Sequence, residues 1–329
     1  METRPAGKAG TWYKKDPAEL ELQLKGYLDT VPSSVDGIPV PIPGARIIIA
    51  PHAGYDFSGK CAAWAYKTLD LSQAKRVFVL GPTHTYGFGG CAATTFEKYE
   101  TPFGDLTIDR ETVQALTDAI DAEEVEIEDM REKNERDEHS LEMHMPYLYL
   151  RCQETFDSPD QFPNIIPLLI GSTDRDDEKA IGQALLPYIM DPTNAFIISS
   201  DFCHWGIHSF HYSPYSPTGS LSDLVKLHHW HRKPWGLPIH ETIRAVDEAA
   251  MDAVKSGSHS AFLDSLRKTR NTVCGRHPIG VMMAALELLG EQPEYEGKGR
   301  FNIIQYQRST LVEEPDDFSV SYVSAYAVV

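Results

Sequence analysis

Three short apolar runs each end in residues that can bind a metal or move a proton. Residues 45–50 (ARIIIA) lead into Pro51-His52-Ala53-Gly54-Tyr55, and residues 76–80 (RVFVL) lead into Gly81-Pro82-Thr83-His84. Residues 195–199 (AFIIS) lead into Ser200-Asp201-Phe202-Cys203-His204-Trp205-Gly206. A neutral imidazole is a common metal ligand and, near neutral pH, a proton carrier. In a fourth stretch, Thr272-Val273-Cys274-Gly275-Arg276-His277-Pro278, the chain approaches the apolar VMMAALELLG of residues 281–290. Pro278 suits a first helical turn and Gly290 a stop, so Cys274 is expected in the turn entering a helix. There, with Arg276 close by, its thiol is expected to have a depressed pKa and more of the thiolate that binds metal or attacks electrophiles. Taken singly, each residue has a plainer role: a hydrogen-bonded loop histidine, a small buried cysteine, an aspartate capping a turn. Their repetition at strand ends points to one polar crevice, and spacing alone does not name a metal.

Residues 137–146 (DEHSLEMHMP) also carry ligand-type side chains. His139 and Glu142 would share a helical face at i, i+3, which is not the H-E-x-x-H zinc pattern with histidines four apart. The stretch reads either as support for the pocket or as an acidic helix start favoured by the macrodipole. The acidic run 123–138 reads as a solvated face.

The elements that must position these groups are legible as alternating periods. Buried strands are expected at 45–50, 76–80, 165–170 and 195–199, with later ones around 301–305 and 320–329. Amphipathic helices are expected at 17–28, 59–69, 110–120, 176–189, 240–255 and 261–268. Strands alternating with helices predict an α/β fold, a single αβα sandwich whose ligand crevice lies at the carboxyl ends of the strands. Residues 91–109 read as an antiparallel hairpin turning at Thr101-Pro102-Phe103-Gly104, so the sheet is expected to be mixed. One domain over 1–329 is expected, with an inserted surface lobe at 207–238, rich in His, Tyr, Ser, Pro and Trp.

Bulk properties narrow the function classes. The 329 residues are 42% hydrophobic and 24% charged, with a formal net charge of −18. Such acidity argues against nucleic-acid binding, which needs a basic face against phosphates. Five widely spaced cysteines do not form a disulfide framework, and no run approaches a membrane span or a signal-peptide core. The expected location is therefore cytoplasmic, with the nucleus also admitted, and no membrane insertion is expected.

Six motifs in order, AGTWY, IIIAPHAGY, LGPTHTY, DEHSLEMHMPY, SSDFCHWG and TVCGRHPIGV, together resemble the MEMO (mediator of cell motility) family, from about Arg4 to the C-terminus. The resemblance implies a fold like that of the class III extradiol dioxygenases, with a mixed central sheet. Those enzymes bind non-haem iron with two histidines and a glutamate. In the MEMO pattern a cysteine replaces the carboxylate, and His52, His84 and Cys274 match the metal triad. His204 matches the catalytic histidine, with Asp201 beside it in the pocket, and Trp12 and Tyr55 match aromatic pocket positions. The implied cofactor is Fe(II) or copper, with zinc also allowed. The implied roles are metal-linked redox activity, metal homeostasis and cytoskeletal signalling in cell motility. The alternative is a non-catalytic adaptor whose partners are phosphotyrosine-bearing receptor tails or cytoskeletal regulators. A ring-cleaving dioxygenase is disfavoured, because the thiolate that replaces the glutamate is itself oxidisable. Two positions depart from the family pattern: Lys8 stands where a histidine is usual, and Phe57 where a tyrosine is common.

Overall fold

A computed structural model describes residues 2–231 and 235–329. Its principal sheet has nine strands. In chain order these are β1 (Ile47–Ala50), β2 (Arg76–Pro82), β3 (Cys91–Ala93), β4 (Ile127–Asp129), β5 (Asn164–Ile170), β6 (Asn194–Ser199), β7 (Asp201–Gly206), β8 (Phe301–Arg308) and β9 (Phe318–Ala327). The spatial order is β7-β9-β1-β6-β2-β5-β3-β4, with β8 on the other edge of β9. The centre, β1-β6-β2-β5, is parallel, and the flanking pairs β9-β1, β8-β9, β7-β9 and β5-β3 are antiparallel. The sheet is mixed, as expected. Every residue of β1 and β6 is buried. Continuous burial rather than alternation means that both faces of the sheet are covered, which explains the unbroken apolar runs IIIA of β1 and AFII of β6.

The covering helices are α1 (Pro17–Leu28), α2 (Tyr55–Thr68), α3 (Arg110–Ala122), α4 (Glu132–Asp137), α5 (Met145–Thr155), α6 (Arg175–Met190), α7 (Ile239–Ser256), α8 (His259–Thr269) and α9 (Arg276–Gly290). By contact they form two groups. In one, α2 lies against β1, β8 and β9 and carries α1 and α5; in the other, α6 and α9 pack together on β6, with α3 and α8 beside them and α7 on β7 and β8. This arrangement is consistent with an αβα sandwich. Local signals set the ends: Asp16 accepts the Glu19 N–H as the cap of α1, followed by Pro17 in the first turn. Phe78 of β2 stacks on Phe196 of β6 with centroids 4.8 Å apart, one of many aromatic contacts across the core.

Three local expectations change. Residues 91–109 are not one hairpin: Cys91–Ala93 joins the principal sheet, and only Lys98–Thr101 pairs with Gly104–Thr107, in a separate sheet with Thr3–Arg4. The stretch after residue 199 is not a loop. After Ser200 the chain enters β7, which is pinned to β9 with a register shift between Asp201 and His204. Residues 137–146 are not one helix face: His139 precedes a 3₁₀ turn at Glu142–His144, so it does not share a helix with Glu142.

Within 207–238, the short pair Pro214–Tyr215 and Val225–Lys226 packs Tyr215 and Leu227 against Trp205, Ile239 and Ile243 in a small satellite core. Residues 232–234 of that stretch lie outside the described residues. No described helix is long and apolar enough to cross a membrane.

Candidate metal centre

The parallel order β1-β6-β2 places the carboxyl ends of three strands side by side, and His52, His84 and Asp201 follow them within two residues. The turn after β1 is tied down twice: Ser200 N–H donates to the Ala50 carbonyl at 3.0 Å, and His52 N–H donates to Asp201 Oδ1 at 3.0 Å. The turn entering α9 docks on the same place, with Gly275 N–H donating to Ser200 Oγ at 3.0 Å. A side chain at Gly275 would meet the Ser199 carbonyl oxygen at 2.3 Å and Ser200 Cβ at 2.4 Å. Glycine is therefore required there for close approach, not for its φ of −84°.

That docking delivers Cys274. Its Sγ lies 3.2 Å from His52 Nε2, and the ligand atoms of His52, His84 and Cys274 all fall within 4.8 Å of one another. Which nitrogens face the centre follows from their partners. Ser199 Oγ donates to the Ser140 carbonyl at 2.7 Å, so at its 2.6 Å contact with His52 it must accept from Nδ1–H. His84 Nδ1 lies 2.9 Å from Glu138 Oε1, and an ionised carboxylate only accepts. In their neutral forms both rings thus carry the proton on Nδ1 and present a bare Nε2 lone pair, the arrangement in which an outer partner orients a metal-binding histidine. Asp201 N–H lies 3.2 Å from Cys274 Sγ, a donor suited to a thiolate.

Glu138 organises the far side. Besides His84 Nδ1, its carboxylate accepts the backbone N–H of His84 at 2.6 Å, of His139 at 2.8 Å and of Ser140 at 2.9 Å. Burial alone would raise its pKa, but His84, His139 and the backbone donors outweigh that and bring it to about 2. His139 stacks on His84 with centroids 4.2 Å apart and lies tilted against Trp12 at 4.5 Å. With His84 and Glu138 it forms a second group of converging donor atoms. Trp12 therefore stands beside His139, with the Lys8 ammonium 5.9 Å from its ring. The N-terminal segment is held there by buried Glu142, which pairs with Arg4 at 2.7 Å and accepts from Lys8 N–H and from the Tyr13 hydroxyl.

His204 is half-buried. Its Nδ1 faces the carbonyls of Phe202 at 2.8 Å and Thr272 at 3.0 Å, which leaves Nε2 as its basic nitrogen. A positive charge there would oppose protonation of His52 and His139 and favour the ionised form of Asp201. Tyr55 is buried against Tyr13 and Tyr147 and donates its hydroxyl to the Met143 carbonyl at 2.6 Å, so that hydroxyl is used within the fold. Phe57 is 64% exposed on α2.

Burial dominates the electrostatics. It pushes His52 well below the ordinary histidine range, helped by His84 and His139, and brings His139 down to about 4. It raises Asp201 to about 6 against the opposing effects of His204 and the His52 N–H. The expectation of a depressed Cys274 thiol is overturned: burial and the neighbouring Asp201 push it up, while Arg276 is exposed and does not offset them. The solvated reading of the run 123–138 also fails at two positions, since Glu135 and Glu138 are each only 1% exposed. Nothing in the local sequence marks Glu138, His139 and Ser199 as partners of the triad. Only the ligand-rich 137–146 stretch hinted at two of them.

Comparison with known proteins extends the family pattern along the chain. A family model described as "Memo-like protein" matches residues 4–326. The sequence is 36% identical to Protein memo-1 homolog of Caenorhabditis elegans, over 99% of this chain and 83% of that one. It is 36% identical to Protein MEMO1 of Xenopus tropicalis and 35% identical to Protein MEMO1 of Homo sapiens, each over 99% of this chain and 97% of the relative.

Proposed function

The chain belongs to the Memo-like protein family, and from that premise we propose that it holds one transition-metal ion between His52, His84 and Cys274 for a redox-linked role. The observation that carries this reading is the convergence of two Nε2 lone pairs and one sulfur within 4.8 Å, with both imidazole tautomers dictated by Ser199 and Glu138. Two imidazoles and a thiolate suit Fe(II) or copper, with zinc also compatible, and disfavour magnesium and calcium. When bound, such an ion supplies electron-transfer or Lewis-acid chemistry.

The chain's own residues would do the rest. Asp201 holds the His52 turn by accepting the His52 backbone N–H at its carboxylate. His204, with Nδ1 committed to carbonyls, is available to carry a proton on Nε2. Trp12 would wall the pocket. We read the protein as one dioxygenase-like domain with a lobe at 207–238, acting in metal homeostasis and cytoskeletal control. Ring cleavage is not favoured, because a thiolate occupies the carboxylate position of the dioxygenases. Phosphotyrosine-bearing partners fit this pocket less well, since burial withdraws positive charge from His52 and His139.

Metal analysis of untagged protein tests the proposal. About one transition-metal ion per chain is expected, with occupancy sharply reduced in Cys274→Ser and in His84→Ala. Full occupancy in both variants would overturn the triad.

A further inference from the structure

A cleft of about 730 Å³ opens beside the Cys274 segment, between the start of α6, the end of α8 and the turn into α9. In a chain with 30 basic and 48 acidic residues, four arginines line it: Arg175, Arg267, Arg270 and Arg276. Arg267 pairs with Asp264 at 2.6 Å, and Arg175 donates to Ser260 Oγ. Among the described residues, Arg175, Arg270 and Arg276 have no carboxylate at ion-pair distance.

The acidic residues of the cleft are already engaged. Asp174 caps α6, accepting the N–H groups of Asp176 and Asp177. Glu178 is buried, with Oε2 at 2.5 Å from His259 Nε2 and Oε1 at 3.0 Å from His277 Nδ1. His277 Nε2 in turn accepts from Arg276 Nε at 3.0 Å. A chain of contacts therefore runs from a buried carboxylate to an exposed guanidinium and orients it, leaving the terminal Nη groups of Arg276 open. The fold makes room for this anchor: a side chain at Gly280 would meet the Glu178 carboxylate at 2.3 Å. Arg270 caps α8 at a φ of 57°, a conformation that favours glycine or asparagine.

We propose that this cleft binds a small organic anion bearing phosphate or clustered carboxylate groups, held by Arg175, Arg270 and Arg276. Guanidinium groups match oxyanions with forked, charge-assisted hydrogen bonds, and the volume lies in the range of small-molecule sites. The net charge of −18 repels anions at a distance, so the attraction is local to these arginines. The inner wall includes Thr272 and Cys274, which puts the bound anion against the segment that delivers the sulfur. The site goes beyond the metal reading and does not depend on it, because no metal donor is used in holding the anion.

Calorimetric titration of the full chain with inorganic phosphate and with tricarballylate tests this. Saturable binding of at least one probe is expected, weakened ~10-fold by either Arg270→Gln or Arg276→Gln and by added salt. Retained affinity in His84→Ala, a substitution outside the cleft, is also expected. Phosphate binding alone assigns a phosphorylated ligand, and tricarballylate binding alone a polycarboxylate; either supports the site. Absence of saturation with both probes overturns it. So does binding that survives the combined Arg270→Gln and Arg276→Gln variant but is lost in His84→Ala, since that would put the anion on a metal. Arg175→Gln and melting curves of each variant separate lost binding from lost folding.

Discussion

Glu138 is the residue on which the two imidazoles most unequally depend. His52 has the neutral Ser199 hydroxyl as its outer partner, whereas His84 has a buried carboxylate that also gathers three backbone N–H groups. Glu138→Gln keeps the shape but removes the charge. It should weaken metal binding by ~10- to 100-fold in chelator competition, the usual effect of losing an outer partner of a metal-bound histidine. Ser199→Ala should weaken it less. The same carboxylate gives the metal-free protein a pH signature. Its folded pKa is about 2 against an ordinary 4.5, so its stabilisation is complete above pH 4.5 and is lost as pH falls from 4.5 toward 2. The loss should be about 3 kcal/mol. Denaturant melts across that window should fall steeply for the native sequence and more shallowly for Glu138→Gln. Parallel slopes would mean that Glu138 is not held ionised. His52 and His84 were legible in the sequence because they follow apolar runs directly. Glu138 was not, because its partner lies 54 residues away and its neighbours in sequence look like any solvated acidic stretch.

At the scale of elements, the site depends on how closely α9 docks against the β6–β7 junction. Gly275→Ala would force Cβ into Ser199 and Ser200, and the expected cost is about 1–3 kcal/mol with reduced metal content. Gly26→Ala is the contrasting case. It lies inside α1 with open space where Cβ would go, and should stabilise the protein by about 0.5–1 kcal/mol without changing the metal. Chemical denaturation with metal analysis on both variants separates docking from a general glycine effect. Most helices were legible from their period, α1 with its boundaries unchanged. The start of α2 was missed by four residues because Gly54 offers no side-chain cap to read. The short strands β3 and β4 were missed as elements of the sheet because three residues give no period. Strand β7 was missed because DFCHWG looks like loop chemistry. Its extended form comes from pairing with β9, a contact about 120 residues away in sequence that propensity cannot show.

For the whole molecule, strand order is what turns scattered residues into a site. With β6 seated between β1 and β2, three carboxyl ends adjoin although they are far apart in sequence. The alternating pattern predicted that meeting only on the condition that these strands are parallel neighbours, and the ladder pairings meet it. The identity of the third donor was not legible from pattern; family resemblance supplied Cys274. A metal held at two strand ends and a helix entrance, as proposed, would couple its binding to folding. A metal bound only by the folded state, at a free concentration ~1,000 times its dissociation constant, should add about 4 kcal/mol of stability. A metal-dependent rise in melting temperature is expected for the native sequence, with little change for Cys274→Ser.

The most direct test is optical titration of metal-free protein with Co(II). The expected result is saturation at one equivalent, with a near-ultraviolet thiolate-to-metal charge-transfer band that is absent from Cys274→Ser. An unchanged band in that variant, or no saturable binding to the native protein, would contradict the His52–His84–Cys274 centre.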